Sequence, residues 1–287
     1  MPELPEVETI RRHLAPHVEG RVLHELEVLD SRWTRPRAPE ELAAAVSGRR
    51  VERLSRRGKY LVWELDGEMF LLVHLRMTGT LLLDPLGAPP YTRAWLRLSG
   101  HDVAFADQRR FGTGELALGE TALEEFFAAR LGLEPLAGEF TGAHLHTLAR
   151  TSRAPVKAFL LDQKRVAGVG NIYADEALFR ARIHPLRPAN RLTRPQAEAL
   201  RDAIVASLNA GIAAKGATID DFRDPDGARG AFQDQFLVHR REGEPCTRCG
   251  RTVRKLRAAG RGTYVCESCQ PRPRGIRPRS AAAMTRG

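Results

Sequence analysis

The sequence predicts an α+β multidomain chain, in which a strand-rich amino-terminal half precedes a helical segment and a small cysteine-bearing module. Three observations lead there. Short apolar runs split by Gly, Asp and Pro continue to about Leu118, helical periodicity takes over after about Thr121, and all four cysteines fall between positions 246 and 269. With 287 residues and 43% hydrophobic content, the chain can bury more than one core.

The elements follow in order. Val7, Ile10, Leu14 and Val18 recur at helical spacing from Pro5 to Val18, with Pro5 suited to a first turn and Glu6 and Glu8 near the positive helix end. Tyr60 to Leu65, Phe70 to Leu75, Ala94 to Leu98 and Asp102 to Ala106 read as strands, and their spacing predicts a β-sandwich or barrel. A short helix is expected from Pro155 to Asp162 and another after Gly168-Val-Gly170-Asn171. A longer one has Leu200, Ile204, Leu208 and Ile212 on one face, the capping-box pair Thr193 and Gln196 at its start, and Gly216 at its end. A third unit begins near His239, and the Pro- and Arg-rich run after Cys269 reads as a disordered basic tail.

Charge is distributed unevenly. The formal net charge is +10, and from His239 onward 13 basic residues face 3 acidic ones, so residues 1 to 238 are neutral overall. Such a block is the electrostatic footprint of a polyanion binder, with a solubilising tail as the plainer alternative. The start has no basic and apolar leader, and no run approaches about 18 apolar residues, so a soluble cytoplasmic protein without a membrane span is expected. Only 5 of the 45 basic residues are lysine, which singles out each lysine as a place where a compact, titratable ammonium is wanted.

Cys246-Thr-Arg-Cys249 and Cys266-Glu-Ser-Cys269 are separated by sixteen residues. Two such knuckles can close a tetrahedral thiolate site around one Zn2+, and two disulfides are the alternative that a non-secreted protein disfavours. An all-cysteine ligand set with no open position makes the metal structural, and Arg251, Arg254, Lys255, Arg257 and Arg261 between the knuckles supply the charge expected of a DNA-contacting hairpin, more than a zinc ribbon used only for protein contacts would need. At the other end, removal of Met1 would leave Pro2 with a free secondary amine that titrates near about 8. Attack of that nitrogen on a sugar C1′ gives an iminium ion with no N–H to lose, an electron sink that opens the way to elimination of phosphate. Glu3, helped by Glu6, is the adjacent candidate acid or base. Read alone, Met-Pro-Glu is also a simple way to begin a helix.

Met1-Pro-Glu-Leu-Pro-Glu-Val-Glu-Thr9, Gly168-Val-Gly-Asn-Ile-Tyr-Ala-Asp-Glu176 and the four-cysteine module, in this order, resemble the bacterial formamidopyrimidine-DNA glycosylase family from residue 1 to about 270. The resemblance implies a β-sandwich with flanking helices over 1–120, a helix-two-turn-helix domain over 121–237, a zinc-finger β-hairpin over 238–270 and a basic tail over 271–287. It implies removal of oxidised purines from double-stranded DNA by a monomer, through a Pro2 Schiff base with β,δ-elimination. An enzyme for oxidised pyrimidines and a catalytically silent damage binder are the alternatives.

The same resemblance assigns roles to residues. Pro2, Glu3, Lys59 and Arg261 become catalytic, Lys59 as the turn lysine near the reacting sugar and Arg261 as the finger arginine gripping phosphate. Glu6, His74, Met77, Arg109, Phe111, Lys157 and Asn171 become DNA-binding. Met77 enters the space of the flipped nucleotide, Arg109 pairs with the orphaned cytosine, and Phe111 unstacks its neighbour. Asn171 opens a helix and holds a phosphate. Lys157 matches a lysine associated with processing damaged purines. Asp224 to Phe232 corresponds to the loop over the extruded base. Arg76 and Gln108 stand where the family's motifs have Gly and Pro.

Overall fold

The computed structural model of the chain describes residues 1–219 and 222–275. Of the expected basic tail over 271–287, residues 276–287 lie outside the described residues. The chain divides into two compact units. The first comprises Met1–Phe140, Asp162–Gly170 and Val205–Phe236, and the second comprises Thr141–Leu161, Asn171–Ile204 and Leu237–Gly287. Among the described residues, no helix is long and apolar enough to cross a membrane.

The first unit opens with α1 (Leu4–Val18), for which Glu3 is the N-cap and Pro5 lies in the first turn. Leu4, Val7, Ile10, Leu14 and Val18 are fully buried, the stripe that the sequence periodicity required. Next come β1 (Val22–Val28), α2 (Pro39–Val46), β2 (Arg49–Arg57), β3 (Tyr60–Leu65), β4 (Met69–His74), β5 (Thr80–Leu83), β6 (Thr92–Leu98), β7 (His101–Ala106), β8 (Thr113–Leu118) and α3 (Glu120–Ala128). The eight strands form one antiparallel sheet in the order β5-β7-β6-β1-β2-β3-β4-β8.

Only Val22–Arg50 and Leu23–Arg49 pair across the β1–β2 joint, so the sheet folds into two four-stranded halves. Leu26, Leu96, Val103 and Phe105 from one half share a core with Leu54, Trp63, Leu71 and Val73 from the other, and α1 adds Ile10 and Leu14. The sandwich is thus one continuous sheet closed on its own apolar face. β3 and β4 do not alternate in burial because both of their faces are covered. On the outer face, Tyr60, Val62, Phe70 and Leu72 pack against Leu123, Phe126 and Phe127 of α3.

The second unit holds α4 (Gly142–Arg150), α5 (Val156–Leu161), α6 (Asn171–Arg180) and the first half of α7 (Arg194–Ala213), followed by β9 (Arg254–Ala258) and β10 (Arg261–Val265). The capping box before α7 is present: Gln196 N donates to Thr193 Oγ1 at 3.3 Å, and Thr193 N donates to Gln196 Oε1 at 3.1 Å. β9 and β10 form a two-stranded hairpin. Its turn residues Ala259 and Gly260 both have positive φ, 52° and 71°, the combination of the tight hairpin turn that matches strand twist. Phe179, Val238, Cys246, Val253 and Cys266 form a small core beneath it.

Candidate active site

Pro2 and Glu3 are buried at the head of α1. The segment Gly168-Val-Gly170 lies directly against them: Leu4 N donates to Gly168 O at 3.1 Å, and a Cβ at Gly168 would stand 2.5 Å from Leu4 Cδ1. A Cβ at Gly170 would stand 2.3 Å from Glu3 Cδ and 2.6 Å from both carboxylate oxygens. Gln163 fixes this segment, accepting from Gly168 N at 2.9 Å and donating to Val169 O at 2.8 Å. The two glycines make room for Leu4 and the Glu3 carboxyl group.

Glu6 receives a different part from the one expected. It is 1% exposed, with Oε2 accepting from Glu3 N at 2.8 Å and Oε1 from Ala217 N at 2.8 Å. Its carboxylate is therefore an internal anchor, tying the amino terminus to the segment leading into 222–232, rather than a DNA contact. That segment closes on itself through Gly230 N to Thr218 Oγ1 (2.9 Å) and Phe232 N to Gly216 O (2.9 Å). It is also pinned to β5 by Leu83 N to Pro225 O (2.9 Å) and Thr80 Oγ1 to Arg223 O (3.0 Å).

Lys59 sits in the two-residue turn between β2 and β3 and, although it is a turn lysine, is only 4% exposed. The turn is clamped from below. Glu134 accepts from Gly58 N and from Arg56 Nη1, each at 2.8 Å, and Arg56 Nε reaches Glu8 Oε2 at 3.2 Å. Burial raises the Glu8 pKa, but hydrogen bonds from Arg11 and Arg12 and the charges of Arg11 and Arg56 outweigh it and hold the carboxyl at about 2.

His74 ends β4, edge-on to Tyr60 at 4.5 Å. Burial, with the nearby charges of Arg76 and Lys59, pushes its pKa down to about 3, so the ring is neutral. Its Nδ1 accepts from Arg76 N at 2.9 Å, which leaves the proton on Nε2. His74 thus presents its Nε2–H as a hydrogen-bond donor. Arg76 has φ of 53°, a left-handed conformation that explains the glycine of the family motif, and its hydrogen bond to His74 holds an arginine there instead.

Met77 is half-buried in the next turn, whereas Arg109 and Phe111 are exposed in the β7–β8 loop. Phe111 is 50% exposed, an aromatic left to solvent, with the Arg109 guanidinium 4.8 Å from its ring centre. An exposed apolar ring beside a cation on a braced loop suits insertion between bases.

In the second unit the structure corrects the expectation for Lys157. Its side chain is 0% exposed, and its ammonium donates to Asp175 Oδ1 (2.7 Å), Thr263 Oγ1 (2.8 Å) and Gly262 O (3.1 Å). It secures the start of β10 to α6 from inside the unit. Asp175 uses its other oxygen on His239 Nδ1 at 2.9 Å. The adjacent Glu176 accepts from the amides of Leu237, Val238 and His239. Asn171 Nδ2 donates to Gly262 O at 3.2 Å. Arg261 is exposed beside the hairpin turn, on a hairpin that also exposes Arg254, Lys255 and Arg257. Sequence reading missed Asp175 and Glu176, although an acidic pair inside the Gly168–Glu176 motif was the available signal.

The four cysteine Sγ atoms lie within 4.8 Å of one another, with Cys246–Cys269 at 3.9 Å and Cys249–Cys266 at 3.5 Å. These separations far exceed an S–S bond of about 2.05 Å. They bracket the edge of about 3.8 Å that a tetrahedron with Zn–S bonds of about 2.3 Å requires. A hydrogen bond involving Arg251, ahead of the contacts with the other thiols, brings the Cys249 pKa down to about 6. Burial and then the neighbouring thiols push Cys269 up to about 12. Sulfurs this close ionise together only around a cation, so the donor set fits one structural zinc.

The comparisons agree along the chain. Residues 1–114 match the formamidopyrimidine-DNA glycosylase N-terminal domain, residues 131–223 its H2TH domain, and residues 243–272 the zinc finger found in FPG and IleRS. The formamidopyrimidine-DNA glycosylase of Desulfitobacterium hafniense is 44% identical over 277 residues, covering 94% of this chain and all of the relative. The crystal structure of the MutM (Fpg) protein from Thermus thermophilus superposes with a TM-score of 0.85 at 44% identity, covering 94% of this chain and 98% of that one. A Lactococcus lactis Fpg in complex with DNA containing an abasic site gives 0.87 at 35% identity, covering 94% of this chain and all of that one. These matches define a protein of the helix-two-turn-helix class that carries a zinc finger. The chain belongs to the formamidopyrimidine-DNA glycosylase family.

Proposed function

We propose that this chain excises oxidised purines, 8-oxoguanine and formamidopyrimidines, from duplex DNA and then cleaves the strand as an AP lyase. The observation that supports the reading most directly is the buried Pro2-Glu3 pair, with Gly170 kept free of a side chain so that the Glu3 carboxyl group can lie against it. Once Met1 is removed, the Pro2 nitrogen attacks C1′ of the damaged nucleotide and the glycosidic bond breaks. The base leaves with a proton, and the sugar opens as an iminium ion on Pro2. Loss of a C2′ proton expels the 3′-phosphate, loss of the C4′ proton expels the 5′-phosphate, and water then releases the sugar fragment and regenerates the amine.

Glu3 is the adjacent group for moving these protons. Glu6 fixes Glu3 through its backbone amide. Lys59, His74, Asn171 and Arg261 take phosphates, whereas Met77, Arg109 and Phe111 fill and read the space left by the extruded nucleotide. Zinc holds the finger that bears Arg261. The enzyme acts as a monomer in the cytoplasm, one chain to each lesion.

The test is product analysis on matched duplexes carrying 8-oxoguanine, a formamidopyrimidine or thymine glycol. Base release and a gap with phosphate at both ends on the first two duplexes support the reading. Activity confined to thymine glycol moves the chain to oxidised pyrimidines, and tight binding without strand loss makes it a damage binder.

A further inference from the structure

The two loops that bear Met77 and Arg109 converge on a single carboxylate. Asp107, 1% exposed at the end of β7, accepts four hydrogen bonds from neutral donors. Its Oδ1 takes Thr78 Oγ1 and Arg109 N (3.2 Å), and its Oδ2 takes Phe111 N (2.8 Å) and Gly112 N (2.7 Å). The Thr78 hydroxyl also accepts from Arg109 N at 3.1 Å, so the residue after Met77 touches the Arg109 backbone directly. Asp107 is itself held through its main chain, with N donating to Tyr91 O at 3.0 Å and O accepting from Arg93 Nε at 3.0 Å.

A second observation is independent of these bonds. Both loops rest on the ring of Phe105, which is fully buried. A Cβ at Gly79 would stand 3.0 Å from Phe105 Cζ, and one at Gly112 would stand 2.3 Å from the same atom. The loops therefore share a floor as well as a carboxylate, and neither can shift far without disturbing the other.

We propose that Asp107 and Thr78 are positioning residues that join the two wedge loops into one piece, coupling Met77 to Arg109 and thereby setting discrimination for the opposite base. The proposal rests on the wedge reading of Met77 and Arg109 given above. Its physical content is that an arginine reads a base edge only while its backbone is fixed. Here the Arg109 amide is fixed by a hydroxyl on the loop of Met77 and by the carboxylate that this hydroxyl also binds.

The experiment uses the full-length, zinc-loaded protein on duplexes with 8-oxoguanine opposite cytosine or adenine, reading kcat/KM for base excision. Thr78→Val is expected to reduce the cytosine-over-adenine ratio about fivefold to tenfold, as loss of one well-placed hydrogen bond allows, and Thr78→Ser to restore it. Asp107→Asn is expected to reduce it further, with melting temperature reporting whether that variant folds. In a double-mutant cycle, Met77→Ala and Arg109→Ala are non-additive in the parent and additive in the Thr78→Val background. An unchanged ratio and an unchanged cycle in Thr78→Val, while Met77→Ala and Arg109→Ala each impair excision, overturn the coupling alone. If Met77→Ala and Arg109→Ala leave excision at the parent level, the wedge reading fails and the coupling fails with it.

Discussion

Gly170 and Glu3 occupy adjoining space: the Glu3 carboxyl carbon lies 2.3 Å from where a side chain at 170 would begin. A methyl group there forces either the carboxyl group or the 168–170 segment to move. Gly170→Ala is therefore expected to lower strand cleavage on the order of a hundredfold, the scale that an ångström of misplacement costs an active site. Gly138→Ala, where an added Cβ meets nothing within 4 Å, serves as the control and should match the parent. Equal rates for Gly170→Ala and the control would remove Glu3 from the chemistry.

Lys157 and Asp175 form an ion pair with both side chains 0% exposed. Replacing only the lysine leaves a buried carboxylate without that cation, so Lys157→Met should lose about 3–5 kcal/mol of stability. Adding Asp175→Asn should return part of it. Denaturant unfolding without DNA reads both values, whereas a solvent-facing lysine that only touched DNA would leave the unfolding midpoint where it was.

The Lys157 pair also shows where sequence reading stops. α1, β3, α7 with its capping box, and the four cysteines were legible because their signals are local: periodicity, an apolar run, a cap and a spacing. β2 was not singled out, because its Arg-rich exposed positions mask the buried Val51 and Leu54. α2 was lost inside a region read as strands, although Pro39, Glu40 and Glu41 give it an ordinary helix start. At the candidate site, residue types were legible and their surroundings were not. Glu6 binds Ala217, Lys157 binds Thr263, and Asp107 binds Thr78, contacts that only the fold creates. A lysine in Pro-Val-Lys-Ala-Phe has nothing nearby in sequence to show that it will be buried.

His74 gives a pH dependence whose sign follows from its lowered pKa. The unfolded chain takes up the imidazole proton near 6.5, whereas the folded one does so only near about 3. Between these values the unfolded state binds more protons, so this contribution is complete above about 6.5 and is lost as pH falls toward 3. His74→Gln should therefore flatten the fall of melting temperature between pH 6.5 and 4.5 relative to the parent. Parallel curves for the two proteins would contradict a buried neutral His74.

The four-cysteine cluster predicts one zinc per chain and a finger that depends on it. Chelation should open Arg251, Arg254 and Arg257 to trypsin while the sheet core of the first unit stays resistant, and added Zn2+ should restore protection. Metal content and peptide mapping check this together. Protection that persists without metal would mean that the small core around Phe179 and Val253 suffices alone.

In the proposed reaction the attacking amine belongs to Pro2. Borohydride reduction of the enzyme on a duplex with 8-oxoguanine opposite cytosine, followed by digestion and mass mapping of the adduct, tests it directly. The expected result is a sugar adduct on the peptide that begins at Pro2, with Met1 gone. An adduct on a lysine peptide such as that of Lys59, or trapping by protein that retains Met1, would contradict it.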